Sequence, residues 1–176
     1  MQYLLPQHTF SRVVLRATRI ESPAIKNALI GAFIRGFNPD MSDAVVTDPL
    51  AYPSFNAFFT RALREESRPV AATGALASPV DGTVSEAGNI ASDRLLQAKG
   101  QHYSLDALLS GAAARWAPAF RDGVFATIYL APYNYHRIHM PVDGRLLEAW
   151  YVPGKLFSVN AATAAAVPGL FARNER

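Results

Sequence analysis

The stretch ASPVDGTVSEAG, residues 77–88, divides the chain into a helical part and a strand-forming part. Asp81-Gly82 is a turn signal, and Thr83 to Glu86 alternates in the manner of a short strand. Before this turn apolar residues recur at helical spacing, and after it they form short runs. The sequence therefore predicts an α+β fold in which N-terminal amphipathic helices precede one β-rich, sandwich-like domain.

The strand-forming part contains three further candidate strands and one short helix. Apolar runs favour strands at Leu95 to Lys99, Gly123 to Leu130 and Arg145 to Val152. Between the first two, Ser104 is placed to cap a helical turn that reaches Leu109. These elements make the second part of the chain predominantly β.

Three helices are predicted in the helical part. The first covers Phe10 to Thr18. The second follows Ser22-Pro23, a capping serine with proline at the first helical position, and ends near Gly36. The third runs from Ser54 to Leu63 and carries phenylalanines on one side, a pattern typical of a core helix.

The segment that holds the first two helices, residues 1–36, is basic. Its cations, opposed only by Glu21, are Arg12, Arg16, Arg19, Lys26 and Arg35. Two interpretations stay open at this point. The apolar faces of the helices can cover the protein's own core, or they can lie in a membrane interface with the cations near anionic headgroups.

The bulk composition limits the class of protein. A chain of 176 residues, 50% of them hydrophobic, can bury a sizeable core in one domain. The absence of cysteine excludes disulfides, a thiol nucleophile and cysteine-ligated metal in this sequence. A net charge of +3 is too mild to indicate a nucleic-acid partner. No apolar run approaches the roughly 20 residues that span a bilayer, so we expect a soluble or peripheral protein.

Two of the four histidines, His136 and His139, stand between Pro132 and Pro141. The prolines argue against a regular helix, and in extended chain residues three apart point to opposite sides. Joint binding of one metal ion would need a tight turn, and no third ligand stands at a recognised spacing. The pair can be structural, or it can serve as acid and base, because histidine titrates near neutral pH.

Asp81 is a candidate partner for one of these histidines. A carboxylate beside a histidine fixes its tautomer and stabilises its charged form. Aspartate before glycine is also ordinary turn chemistry, and we interpret Asp143-Gly144 as no more than a turn. Ser158 lacks the sequence context of an activated nucleophile.

Several segments taken together resemble one known family. The segments SPVDGTVSEAG, YHRIHMPVDG and VPGKLFSVN, with the helix FNAFFTRALREESRPV and the final VPGLFARNER, are similar to phosphatidylserine decarboxylases. The resemblance covers about residues 35–176, and the order of the segments makes it specific. It divides the chain into a helical membrane-association segment, residues 1–36, and a partial decarboxylase catalytic domain, residues 37–176.

The resemblance implies a proenzyme that cleaves itself. In the family, a serine in a Leu-Gly-Ser-Thr-type motif becomes a covalent pyruvoyl group on a small α chain, and the remainder is the β chain. The amine of phosphatidylserine forms a Schiff base with this group, which accepts electrons as CO₂ leaves. No Leu-Gly-Ser motif is present here, so we expect most of a β chain, truncated at its C-terminus and active only with the α chain.

The resemblance also implies a role for each candidate residue. Asp81 and His139 match the aspartate and histidine that activate the serine for self-cleavage, with His139 as base and Asp81 as its orienter. His136 is expected to be the acid in decarboxylation. No metal is expected among the site residues.

The implied partners are the pyruvoyl-bearing α chain, phospholipid, an anionic membrane surface and, in a homodimer, a second copy. With a lipid substrate, the basic helices become the expected membrane contact, on the cytoplasmic face of a bacterial inner membrane. Two competing hypotheses remain: a non-catalytic lipid-surface module and a histidine-based metal hydrolase.

Overall fold

The computed structural model describes residues 6–70, 72, 74–98 and 100–176. Residues 1–5 of the predicted membrane segment and Lys99 of a predicted strand lie outside this description. The chain forms two compact units. The helical unit consists of residues 10–82 and 130–145, and the strand unit comprises residues 83–129, 146–176 and the described residues up to Thr9. Helices and antiparallel strands are both present, which confirms the mixed α+β class.

Among the described residues, three α-helices precede the first strand: α1 (Gln7–Ala17), α2 (Pro23–Phe37) and α3 (Phe55–Phe59). Ser54 caps α3 as predicted, with its hydroxyl accepting from the backbone N–H of Ala57. Ser22 precedes α2, but its side chain makes no capping hydrogen bond. Short 3₁₀ turns at Pro49–Ala51 and Glu65–Ser67 complete this part of the chain.

Helix α3 is shorter than the predicted helix from Ser54 to Leu63. The backbone N–H of Val45 donates to the carbonyl of Ala62, and the N–H of Arg64 donates to Asp43. Leu63 forms an isolated antiparallel bridge with Ala44. Residues 62–64 are therefore extended because they pair with residues 43–45 instead of continuing the helix.

The core of the helical unit is aromatic. Phe58 is 0% exposed and packs with the buried Ile30 and Tyr52. Phe33 of α2 lies edge-on to Phe58, with ring centroids 5.8 Å apart. The phenylalanine side of α3 thus forms core, as its spacing predicts.

The strand unit contains two antiparallel pairs among the described residues. Strand β1 (Thr83–Asn89) pairs with β4 (Val124–Tyr129), and β2 (Arg94–Ala98) pairs with β3 (Gln101–Ser104). The helical elements of this unit are α4 (Leu105–Leu109), a 3₁₀ helix (Gly111–Phe120), α5 (Ala161–Ala166) and α6 (Leu170–Arg173). Ser104 caps α4 as predicted, because its hydroxyl accepts from the N–H of Ala107.

A buried glutamine fastens β2 to the end of the chain. The Gln97 amide donates to the carbonyls of Ala164 and Val167 and accepts from the N–H of Leu170. Burial of an amide is tolerated when its donors and acceptor are satisfied. Gln97 therefore holds α5 and α6 on this unit.

The prediction of a strand at Arg145 to Val152 was wrong. Only Val152 exchanges backbone hydrogen bonds with a described residue, Arg176, at 2.7 and 3.0 Å. Leu146 is 80% exposed, and the side chain of Glu148 is bound by Arg115 and Trp150. An apolar run becomes a strand only when a neighbouring strand supplies the ladder, and no described residue does so along this segment.

Within the described ranges, no helix is both long and apolar enough to cross a membrane.

Phe58→Ala should lower the free energy of unfolding by about 3–5 kcal/mol, because it removes a fully buried ring and leaves a cavity. Urea denaturation of the full-length protein measures this change. Phe10→Ala, at a ring that is 68% exposed, is the matched control and should change the value by less than about 0.5 kcal/mol. Equal losses in the two variants would show that the aromatic cluster is not the core of the unit.

Candidate active site

The segment after β4 presents the two histidines from an irregular loop. A turn at the start of this loop is closed by a hydrogen bond that the N–H of Asn134 donates to the carbonyl of Ala131. The side-chain oxygen of Asn134 in turn accepts a hydrogen bond from the N–H of Ala131. Further on, the Arg137 side chain donates to the carbonyl of Thr60 at the end of α3. These contacts hold the loop on the helical unit without any regular secondary structure.

His136 is packed and partly desolvated. Its ring stacks on Phe59, with centroids 4.0 Å apart and an interplanar angle of 26°. Its Nε2 lies 3.1 Å from the carbonyl of Ala131 and 3.2 Å from that of Pro132. Carbonyls only accept, so Nε2 carries a proton and Nδ1 is the titrating nitrogen. Burial lowers the pKa of His136, against the opposing effect of the two carbonyls.

His139 has a different environment. Its Nε2 lies 2.9 Å from the Tyr135 hydroxyl, and the two rings stack with centroids 5.5 Å apart. Its backbone N–H donates to the carbonyl of Pro79 at 2.9 Å. This hydrogen bond fixes the backbone of His139 beside Pro79, which stands two positions before Asp81 in the sequence.

Asp81 is held by a cation instead of a histidine. Its carboxylate accepts from Nε of Arg68 at 2.9 and 3.0 Å, and also from the Nη2 atom. The Nη1 atom of Arg68 donates to Asp43 at 2.9 Å. Hydrogen bonds to these two carboxylates raise the pKa of Arg68. Arg68 thus fixes the position of the Asp81 carboxylate.

Asp81 and His139 line one cavity of about 690 Å³, together with Arg68, Tyr135, Pro79 and Met140. The two predicted partners are therefore brought together in space. Among the described residues, however, the hydrogen bonds of Asp81 come from Arg68 and that of the His139 ring involves Tyr135. His136 is not one of the lining residues and lies instead against Phe59.

The sequence reasoning missed Tyr135 and Arg68. Tyr135 stands four residues before His139, and a hydroxyl so close to a candidate base was a usable signal. Arg68 is 13 residues from Asp81, and nothing in its local sequence indicates that contact.

In the part of the chain that the structure describes, no three histidine, aspartate or glutamate side chains are grouped so that they could hold a metal ion.

Two family models match the chain. A family model described as phosphatidylserine decarboxylase matches residues 55–176, and one described as PSD matches residues 1–38. The match to residues 55–176 includes every residue of the 690 Å³ cavity and both histidines.

Curated bacterial relatives carry the name phosphatidylserine decarboxylase proenzyme. The Bordetella bronchiseptica protein is 54% identical over 176 residues, which are 99% of this chain and 59% of that protein. The Alkalilimnicola ehrlichii protein is 54% identical over 175 residues, with coverages of 99% and 60%. The Azotobacter vinelandii protein is 52% identical, with coverages of 99% and 61%. The chain spans about three fifths of the length of these relatives.

Phe59→Ala should raise the pKa of His136 toward its ordinary value of about 6.5, because removal of the stacked ring admits water to the imidazole. Titration by NMR of the histidine ring protons measures this shift. Phe37→Ala, at a ring of α2 that does not stack on His136, is the control. A His136 pKa unchanged by Phe59→Ala would show that desolvation by this ring is not its cause.

Proposed function

Because the chain belongs to the phosphatidylserine decarboxylase family, we propose that it is part of an enzyme that converts phosphatidylserine to phosphatidylethanolamine. The observation that carries the proposal is the meeting of Asp81 and His139 in one cavity, within the region that the family model matches. In this proposal residues 37–176 belong to the catalytic domain and form most of its β chain.

The proposed cofactor is a pyruvoyl group made from a serine of the α chain. When bound, this group supplies a carbonyl that withdraws electrons from the amino-acid headgroup as CO₂ is lost. The 690 Å³ cavity fits such a group, because Tyr135 and His139 can donate hydrogen bonds to a carbonyl and Pro79 and Met140 provide an apolar wall. We assign Tyr135 and His139 as the residues that hold it.

In maturation, His139 is the proposed base that takes the proton of the serine hydroxyl. The hydroxyl of Tyr135 at Nε2 orients the His139 ring, and the carboxylate of Asp81 stabilises the positive charge that the ring acquires. Direct orientation by Asp81 requires the carboxylate to exchange a hydrogen bond with Arg68 for one with His139. Until that exchange, Arg68 holds the carboxylate in place.

In decarboxylation, His136 is the proposed acid that delivers a proton to the carbon that loses CO₂. Because His136 lies against Phe59 and does not line the 690 Å³ cavity, this step requires its ring to move toward the cavity. Its Nε2 proton is engaged by two carbonyls, so Nδ1 is the atom that gains and gives the proton. The same burial that lowers its pKa makes its protonated form a stronger acid. The two histidines thereby have separate tasks and separate environments.

We propose that residues 1–36 attach the protein peripherally to the cytoplasmic face of the bacterial inner membrane. Phe10, Val13 and Val14 lie three and four positions apart on α1 and are exposed, and Arg12 and Arg16 stand on the same helix. An exposed apolar stripe flanked by arginines suits an anionic membrane interface. The same stripe supports the alternative, a non-catalytic lipid-surface module. A homodimer stays a prediction from the family resemblance.

His139→Ala and Asp81→Asn should each slow self-cleavage of the full-length proenzyme by about 100-fold or more, because the serine loses its base or the charge that supports it. His136→Ala should leave cleavage intact and lower kcat to a similar extent. Gel analysis of freshly made protein and a CO₂-release assay measure the two steps. His102→Ala and Asp143→Asn are matched controls outside the cavity and should process and turn over normally. Normal maturation of His139→Ala would contradict its assignment as base.

The double substitution Phe10→Ser and Val14→Ser should weaken binding to vesicles that contain phosphatidylglycerol by at least about tenfold, because each apolar side chain contributes roughly 1.5 kcal/mol or more when buried. Vesicle sedimentation measures this binding. Val124→Ser, at an exposed valine of β4, is the control. Unchanged binding would place the membrane contact elsewhere. Full vesicle binding without turnover, in a wild-type protein that has matured, would favour the lipid-surface module.

A further inference from the structure

Arg61 is a buried cation that its surroundings satisfy only in part. It lies two residues beyond the end of α3 and is 3% exposed. Its Nη2 atom donates to the carbonyls of Asp40 and Tyr133, both at 3.3 Å. Its Nε and Nη1 atoms have no hydrogen-bond partner among the residues that the structure describes.

The charge of Arg61 also has no direct counter-ion in the described part of the chain, where the ion pairs are made by Arg64, Arg68 and Arg115. Its guanidinium lies over the Phe58 ring at 6.0 Å. Burial lowers the pKa of Arg61, yet a guanidinium stays protonated at neutral pH. A buried charge with unpaired donors is costly unless an anion or another acceptor completes it.

A second cavity, of about 200 Å³, lies beside this guanidinium. Arg61 lines it together with Asp40, Asp43, Tyr133 and Asn134. The cavity has room for several water molecules or a small tetrahedral anion. Four residues line both this cavity and the larger one that holds His139: Leu63, Arg68, Asp81 and Tyr135. The two cavities are therefore adjacent.

Most of the acidic side chains that line the smaller cavity form ion pairs with arginine. Arg68 binds Asp43 and Asp81. The Asp40 carboxylate accepts from the N–H of Ser42, which lowers its pKa, and it is the one lining acid without an ion pair in the described residues. Arg61 is accordingly the lining cation that is not neutralised by direct contact.

We propose that Arg61 recognises the phosphodiester of the phospholipid headgroup, an inference that rests on the proposed function and names the ligand of its site. The substrate offers two anions, a carboxylate and a phosphodiester. A cation on the carboxylate would stabilise the charge that disappears as CO₂ leaves, and so would oppose the reaction. The phosphodiester keeps its charge throughout, so contact with it strengthens binding without slowing the chemistry.

The first test measures binding without turnover. Glycerophosphoethanolamine carries the phosphodiester and no carboxylate, and it should raise the thermal midpoint of the full-length wild-type protein. In Arg61→Met its half-saturating concentration should rise by roughly 30-fold or more, since one partner of a buried charge contact is lost. Arg61→Lys should give an intermediate value, and Arg121→Met, at an exposed arginine, should behave as wild type. An equal response in Arg61→Met overturns the proposal.

Two further ligands, acetate and inorganic phosphate, show which kind of anion the site binds. Acetate at the same ionic strength should give no response that depends on Arg61, and a stronger response to acetate would assign the site to the carboxylate instead. Inorganic phosphate should bind at least several-fold more weakly than the diester. Equal binding of the two would identify a site for free phosphate and overturn the headgroup assignment.

Asp40→Asn supplies a change in the opposite direction. Removal of the unpaired carboxylate beside Arg61 should lower the half-saturating concentration of glycerophosphoethanolamine several-fold. A purely structural Arg61, paired at a distance with Asp40, predicts instead a less stable protein and no tighter binding. The unfolding midpoint of each variant without ligand shows whether it has folded.

Turnover distinguishes this proposal from the proposed function. In a mature, active enzyme Arg61→Met should raise KM by roughly 30-fold with little change in kcat. A wild-type protein with no decarboxylase activity but an Arg61-dependent response to the diester would retain the anion site and refute the function. An active enzyme whose KM and response to the diester are unchanged by Arg61→Met would support the proposed function and refute the anion site.

Discussion

Two backbone hydrogen bonds hold the turn around Asp81 against the loop that carries the histidines. The N–H of Ala77 donates to the carbonyl of Pro141 at 3.0 Å, and the N–H of His139 donates to the carbonyl of Pro79 at 2.9 Å. Residues some sixty positions apart in the sequence thereby become neighbours. The position of the 690 Å³ cavity, and the presence of both Asp81 and His139 in its wall, depend on this pairing.

Around this pairing the site is organised by how each charge is balanced. Asp81 forms an ion pair with Arg68, which also binds Asp43, so its carboxylate is fixed in place. The ring of Phe59 partly desolvates His136, which favours the neutral form of the imidazole. Arg61 is buried beside a small cavity, and two of its nitrogens have no hydrogen-bond partner among the described residues. Within the helical unit, the Asp81 carboxylate is thus paired with a cation, the His136 imidazole is partly desolvated, and the Arg61 guanidinium is only partly hydrogen-bonded by the described residues.

Local chemistry explains what was predictable from the sequence. The caps at Ser54 and Ser104 depend on neighbouring residues, and the phenylalanine spacing of α3 depends on one helix alone. The family resemblance, carried by an ordered set of segments, is confirmed by the family model. The membrane role of residues 1–36 and the tasks of the individual site residues stay predictions.

Long-range pairing explains what the sequence could not tell. The apolar run at Arg145 to Val152 has the composition of a strand, but composition does not reveal whether a neighbour supplies a ladder. Likewise Arg61 meets Tyr133 across 72 positions, and no spacing rule links them. The helix predicted to Leu63 ended early for the same reason, because residues 62–64 pair with residues 43–45.

We propose that Asp81 and His139 serve a self-cleaving pyruvoyl enzyme. The most direct measurement is the intact mass of the protein produced from its complete reading frame, before and after treatment with hydroxylamine. We expect two chains, of which the smaller gains the mass of a carbonyl adduct. A single uncut chain without any reactive carbonyl would contradict it and leave a family member without the family's chemistry.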